Sequence, residues 1–191
     1  METVLACAVL VALAEMGDRT QLLAILLAVR HRRPVAILAG ILVATLANHL
    51  LAALAGFYVG GLLTARWFRY AVAGSFIAMG LWALFPDRSD ETGAARRKGR
   101  SVFLTTVVSF FLVEIGDKTQ IATLALAARF HDIVLVVAGT TAGMMAANIP
   151  AVLLGRSALA RLPLRALRVA AALAYVVLGL WALASAAGWT R

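Results

Sequence analysis

Charge is scarce in this chain. Its 191 residues include 9 Asp and Glu against 18 Lys and Arg, and charged residues make up only 14%. So little charge does not cover the surface of a soluble domain of this length, which excludes an ordinary water-soluble globule. Cysteine occurs once, as Cys7, which excludes an internal disulfide and a cysteine-built metal cluster. Its expected role is to fill packing or lipid-facing space. There is no His-Glu-x-x-His motif and no evident Ser/His pairing, so no enzyme activity is expected, whether intramembrane protease or lipid-modifying enzyme. The apolar runs do not alternate, which argues against a β-barrel. No basic residue precedes the first run, and position 2 is Glu2. Ala12-Leu13-Ala14 is therefore not read as a cleavage site, and the segment is expected to remain as a first helix.

What the chain does have is apolar surface: 63% of residues are hydrophobic and the mean hydropathy is +0.92. A hydrocarbon core about 30 Å thick takes roughly 20 apolar residues per helix. Six runs of that order are visible, near 3–29, 34–58, 67–85, 101–128, 133–154 and 167–187. The expected fold class is an all-α integral membrane protein with six transmembrane helices. The net charge of +9 is not a nucleic-acid signature, because the basic residues fill the gaps between apolar runs.

The chain repeats itself. Glu15-Met16-Gly17-Asp18-Arg19-Thr20-Gln21 matches Glu114-Ile115-Gly116-Asp117-Lys118-Thr119-Gln120 at an offset of 99 residues. The same offset aligns Gly56 with Gly155, Arg69 with Arg168, and Gly80-Leu81-Trp82-Ala83-Leu84 with Gly179-Leu180-Trp181-Ala182-Leu183. Asn48 aligns with Asn148 after a slip of one. Matches throughout both halves argue for a duplicated three-helix unit. The expected organisation is a first repeat at 1–86, a charged linker at 87–100 and a second repeat at 101–191. Three helices per unit is an odd number, so the second copy enters the membrane from the opposite side, giving an inverted-topology repeat. Twelve basic residues fall on the linker side and four on the other. That bias places the linker in the cytoplasm and both termini outside. Arginine outnumbers lysine sixteen to two, which with abundant alanine suggests a bacterial inner membrane.

Glu15 and Glu114 each lie about halfway along an apolar run. A charge at the bilayer centre costs at least ~2.5–3.5 kcal/mol, and an ionisable residue there is by default a functional one. On a continuous helix, Glu15, Asp18 and Gln21 would present oxygens to one side with Arg19 at its edge. The second motif would repeat this. Four carboxylates against Arg19 and Lys118 leave the pair of motifs at net −2, which suits one divalent cation. Oxygen donors favour hard ions such as Mg²⁺, Ca²⁺ or Mn²⁺. The metal-ligand candidates are Glu15, Asp18, Glu114 and Asp117. Gln21, Gln120, Asn48 and Asn148 are candidate additional ligands, and Arg19 and Lys118 are read as charge-balancing or gating residues. Thr20 and Thr119 are expected to bond back to their own helices, and His49 to bond locally. A Glu15–Arg19 pair at i,i+4 that only fixes packing is the bland alternative.

The doubled Glu-x-Gly-Asp-(Arg/Lys)-Thr motif in two three-helix halves resembles the Gdt-type cation/proton exchangers. That family includes Golgi and chloroplast manganese/calcium transporters and bacterial manganese exporters of the MneA type. The resemblance covers essentially the whole chain and implies exchange of Mn²⁺ or, next, Ca²⁺ for protons, with the acidic residues of both motifs in the site. It implies no resident cofactor: the metal is substrate. The expected partners are a divalent metal ion, protons and the lipid bilayer, with no nucleic acid, and the oligomeric state is left open, a homodimer included. The competing readings are a six-helix exporter of small organic solutes such as amino acids and a passive cation channel.

Overall fold

A computed structural model describes residues 1–62, 66–85, 101–154 and 164–188. The linker expected at 87–100 lies outside the described residues. Those residues form eight α-helices and no strand: α1 (Glu2–Glu15), α2 (Arg19–His31), α3 (Pro34–Leu62), α4 (Arg66–Ala83), α5 (Val102–Glu114), α6 (Lys118–Phe130), α7 (Ile133–Leu154) and α8 (Leu164–Ala187). Three of them contain stretches long and apolar enough to cross a membrane, at Pro34–Val59, Ile133–Leu154 and Val169–Ala187. With its apolar helices, the chain is a membrane protein.

Four of the six apolar runs are single helices, namely α3, α4, α7 and α8. The first and fourth are not, which corrects the expectation of a continuous helix through each motif. α1 stops at Glu15 and α5 at Glu114, and α2 and α6 start four residues later. The cause is local. Gly17 and Gly116 take φ of 82° and 75°, a left-handed conformation that costs an L-residue with a Cβ roughly 1–2 kcal/mol and glycine almost nothing. Met16 and Ile115 before them, and Asp18 and Asp117 after them, are extended. The angular arrangement expected for Glu15, Asp18 and Gln21 on one helix therefore does not exist.

A break at this depth exposes backbone groups that lipid cannot satisfy. Here they are satisfied from within. The Asp18 amide donates to the Glu15 carbonyl (3.1 Å) and the Asp117 amide to that of Glu114 (3.0 Å). The Gly17 amide donates to Gln21 Oε1 (2.8 Å) and the Gly116 amide to Gln120 Oε1 (2.7 Å). Each glutamine is the third residue of its helix and reaches back across the break, much as in a capping box.

The halves interlock. α1 packs on α7 and α5 on α3, while α4 packs on α8. Glycines permit the close approaches, and these repeat at the spacing of the motifs. Gly40 faces Phe103 and Thr106, and Gly139 faces Val4 and Cys7. Gly80 faces Ala172 and Val176, and Gly179 faces Ala73 and Ile77. Each pair is related by 99 residues. Cys7 is thus a packing residue, buried against Gly139. Gly56 lies against the backbone of Leu124 in α6. The turns after α2 and α6 also match: Arg32 and His131 are both left-handed, and each donates its amide to a carbonyl four residues back. Large apolar side chains such as Leu5, Leu51, Val134, Leu173 and Val177 point outward, as lipid contact requires.

Candidate cation site

The two helix breaks meet at the centre of the bundle. All four motif acids are buried there: Glu15 is 0% exposed, Asp18 4%, Glu114 1% and Asp117 2%. Glu15, Asp18 and Asp117 each offer a carboxylate oxygen, and these oxygens lie within 4.8 Å of one another. Oxygens bound to one hard cation stand at most about twice the metal–oxygen distance apart, on the order of 4–5 Å, so the triad fits a single ion. The acids come from both motifs, and neither motif could assemble this triad alone.

Helix ends shape the local field. Glu15 closes α1 and Glu114 closes α5, so each carboxylate sits at the negative end of a helix dipole. That placement is unfavourable for an anion and favourable for a cation between the acids. Asp18 and Asp117 occupy the N-cap positions of α2 and α6, yet neither side chain caps its helix. They turn toward the other motif instead. Arg19 Nη2 donates to Asp117 Oδ1 at 3.2 Å, and Lys118 Nζ lies 4.0 Å from Asp18 Oδ1. The basic residue of each motif therefore balances the aspartate of the other, and no Glu15–Arg19 pair is among the ion pairs of the described residues. The two bases differ in setting. The Arg19 side chain is 37% exposed, whereas that of Lys118 is 7% exposed, bonded to the Phe85 carbonyl (3.4 Å) and placed over the Trp82 ring (5.9 Å).

The two glutamates are unequal. Glu114 accepts from Thr45 Oγ1 (3.1 Å) and from Asn48 Nδ2 (3.0 Å). Neither oxygen of Glu15 has a hydrogen-bond partner among the described residues. Asn148 lies against Glu15, but its amide donates to the Met144 carbonyl (3.0 Å) and Sδ (3.2 Å). Position 144 corresponds by the repeat to position 45, so a thioether stands where the other half has a hydroxyl. The Oδ1 atoms of both Asn48 and Asn148 are buried without a hydrogen-bond partner among the described residues.

Gln21 and Gln120 brace the breaks with Oε1, and Gln21 Nε2 also holds the Ala147 carbonyl (2.9 Å). The threonines do not bond back to their helices as expected. The Thr119 hydroxyl donates to Asp117 Oδ2 (3.3 Å), and that of Thr20 has no hydrogen-bond partner among the described residues. His49, expected to bond locally, is buried with neither ring nitrogen partnered there. Thr45 was not singled out by sequence, although it shares a helix face with Asn48 three residues on.

A buried carboxylate cluster built from two broken helices, with cationic partners exchanged between halves, has the make-up of a candidate cation site in a membrane protein. Comparison with known proteins gives the family. The family model described as the divalent cation/proton antiporter GDT1 matches twice, over residues 3–91 and 102–190. The chain belongs to the GDT1 family of divalent cation/proton antiporters and is a transporter, not an enzyme. It is 44% identical over 171 residues to a candidate manganese exporter of Vibrio cholerae serotype O1, covering 89% of this chain and 84% of that protein. It is 26% identical to GDT1-like protein 5 of Arabidopsis thaliana, covering 90% of each chain, and 25% identical to GDT1-like protein 4 of the same plant, covering 87% and 89%. No solved structure matches it significantly.

Proposed function

We propose that the chain exports Mn²⁺ from the cytoplasm in exchange for protons, with Ca²⁺ as the next substrate. The observation that carries this reading is the buried triad of Glu15, Asp18 and Asp117, with Glu114 beside it on its own scaffold. The four acids bind the metal. Asn48 and Asn148 complete its shell through Oδ1 atoms that have no hydrogen-bond partner among the described residues. Gln21 and Gln120 keep the breaks open to it and retain a second lone pair on Oε1 for the ion. Arg19 and Lys118 limit the charge of the site and serve as its gates, the lysine on the closed side and the arginine on the open one. Protons entering from outside neutralise carboxylates and release the metal.

In this reading the repeats 1–86 and 101–191 are inverted copies joined by a cytoplasmic linker at 87–100, both termini face outside, and the membrane is a bacterial inner membrane. Rocking one half against the other exposes the site alternately to the two sides. The paired glycine contacts at 99-residue spacing and the likeness to the Vibrio protein support it. The test is transport into proteoliposomes. Imposing a pH gradient is expected to drive Mn²⁺ uptake with a matching change of internal pH, and Ca²⁺ uptake more weakly. Mn²⁺ flux that ignores the gradient would leave a passive channel, and amino-acid flux without metal flux would leave a solute exporter.

A further inference from the structure

α4 closes beside the second motif. Its helical residues end at Ala83, and the chain then tightens: the Leu84 amide donates to the Leu81 carbonyl (3.3 Å) and the Phe85 amide to that of Trp82 (3.0 Å). Pro86 follows in the sequence and has no amide with which to continue the ladder. A helix end of this kind presents carbonyls at the negative end of the helix dipole, which attracts a cation. The Phe85 carbonyl accepts from Lys118 Nζ at 3.4 Å, and the Trp82 ring lies 5.9 Å from the same ammonium. An indole face is a second cation-attracting surface. On the ion-site side the ammonium stands 4.0 Å from Asp18 Oδ1. A charge-assisted hydrogen bond would bring those two atoms to about 2.7–2.9 Å.

The repeat supplies a built-in comparison. Arg19 is the counterpart of Lys118 at the 99-residue offset, and it donates directly to Asp117 Oδ1 at 3.2 Å. Trp181 is the counterpart of Trp82, but α8 runs on to Ala187 and the Trp181 ring carries Arg129 at 4.5 Å. So where a helix end and an indole hold the base, it stands off its aspartate, and in the other half the base bonds to it.

We propose that Trp82 and the Phe85 carbonyl are positioning groups of the ion site: they draw the Lys118 ammonium off Asp18 and so leave that carboxylate to the transported cation. An ammonium bonded directly to Asp18 would compete with the metal for the same oxygen. Both residues lie on the third apolar run, outside either motif, and the assignment rests on the cation-exchange reading above.

The experiment uses the full chain in detergent and measures Mn²⁺ binding by calorimetric titration. Trp82 is 39% exposed, so its replacement does not empty the core. Trp82→Leu is expected to bind Mn²⁺ about fivefold more weakly, the fold-change that loss of one cation–π contact gives. Trp82→Phe keeps an aromatic face and is expected to recover most of that loss, and Trp181→Leu is expected to bind like the native protein. A structural role for the indole would not depend on the lysine, so the deciding measurement is a double-mutant cycle. In a Lys118→Gln background, Trp82→Leu is expected to have no further effect on Mn²⁺ affinity. Native affinity in Trp82→Leu would overturn the assignment. So would equal losses from Trp82→Phe and Trp82→Leu, or the same loss from Trp82→Leu with and without the lysine. A native protein that binds no Mn²⁺ would instead refute the cation-exchange reading, which separates the two failures.

Discussion

Glu15 and Glu114 carry the same motif in sequence and live in different surroundings. Glu114 is held by a hydroxyl and an amide from α3, whereas Glu15 faces the aspartates with no hydrogen-bond donor within bonding geometry among the described residues. Both sit at helix C-termini in the bundle interior, where a cation or a proton relieves the charge. Replacing either by glutamine keeps the shape and removes the anion. Glu15→Gln and Glu114→Gln are each expected to abolish proton-coupled Mn²⁺ transport in proteoliposomes while the protein still elutes as a folded species. Transport retained by both variants would sink the site. At this scale the acids were legible from sequence because a carboxylate in the middle of an apolar run is costly and has few structural reasons to be there. Thr45 was not legible. A lone threonine in such a run looks like packing until a neighbouring element shows what its oxygen faces.

The helix break is the feature that spacing alone concealed. An apolar run of 27 residues reads as one span, and the 100° rule then puts Glu15 and Arg19 on adjoining faces. Once Gly17 and Gly116 turn the chain, the i,i+4 relation is lost and each base meets the aspartate of the other motif. The signal is present in the sequence as Gly-Asp, a residue free to turn left-handed followed by a good N-cap. This assigns the glycine a conformational role that is separable from its size. A Cβ at Gly116 would meet nothing within 4 Å, so substitution there tests φ alone. Gly116→Ala is expected to lower stability by about 1–2 kcal/mol, with Gly116→Asn recovering part of it because asparagine tolerates the left-handed region. Thermal melting of the two variants in detergent checks this. Equal losses from Ala and Asn would show that the turn is not held left-handed. The other helix boundaries were legible because α3, α4, α7 and α8 have no such interruption.

For the whole molecule, the consequence of interlocked halves is that the candidate site is shared by both. α1 lies on α7 and α5 on α3, so the acids of the first motif are held against helices of the second half and the reverse. The duplication was legible in the 99-residue register, but which ends of the repeats meet was not, because spacing carries no information about packing direction. The result is an enclosed cluster of four acids and two bases, net −2 when fully ionised. In the proposed exchange, Mn²⁺ and protons compete for the same oxygens. Binding a divalent ion requires the carboxylates deprotonated, so each proton already bound must leave. If one proton is displaced per metal ion, affinity falls about tenfold for each pH unit of acidification, and if two, on the order of a hundredfold. Mn²⁺ titrations of the purified chain from neutral to acid pH are therefore expected to weaken with a slope between these limits. The slope counts the protons exchanged per ion. A flat profile is incompatible with exchange at this site, because a cluster that binds metal without displacing protons offers a pH gradient no means of driving the ion.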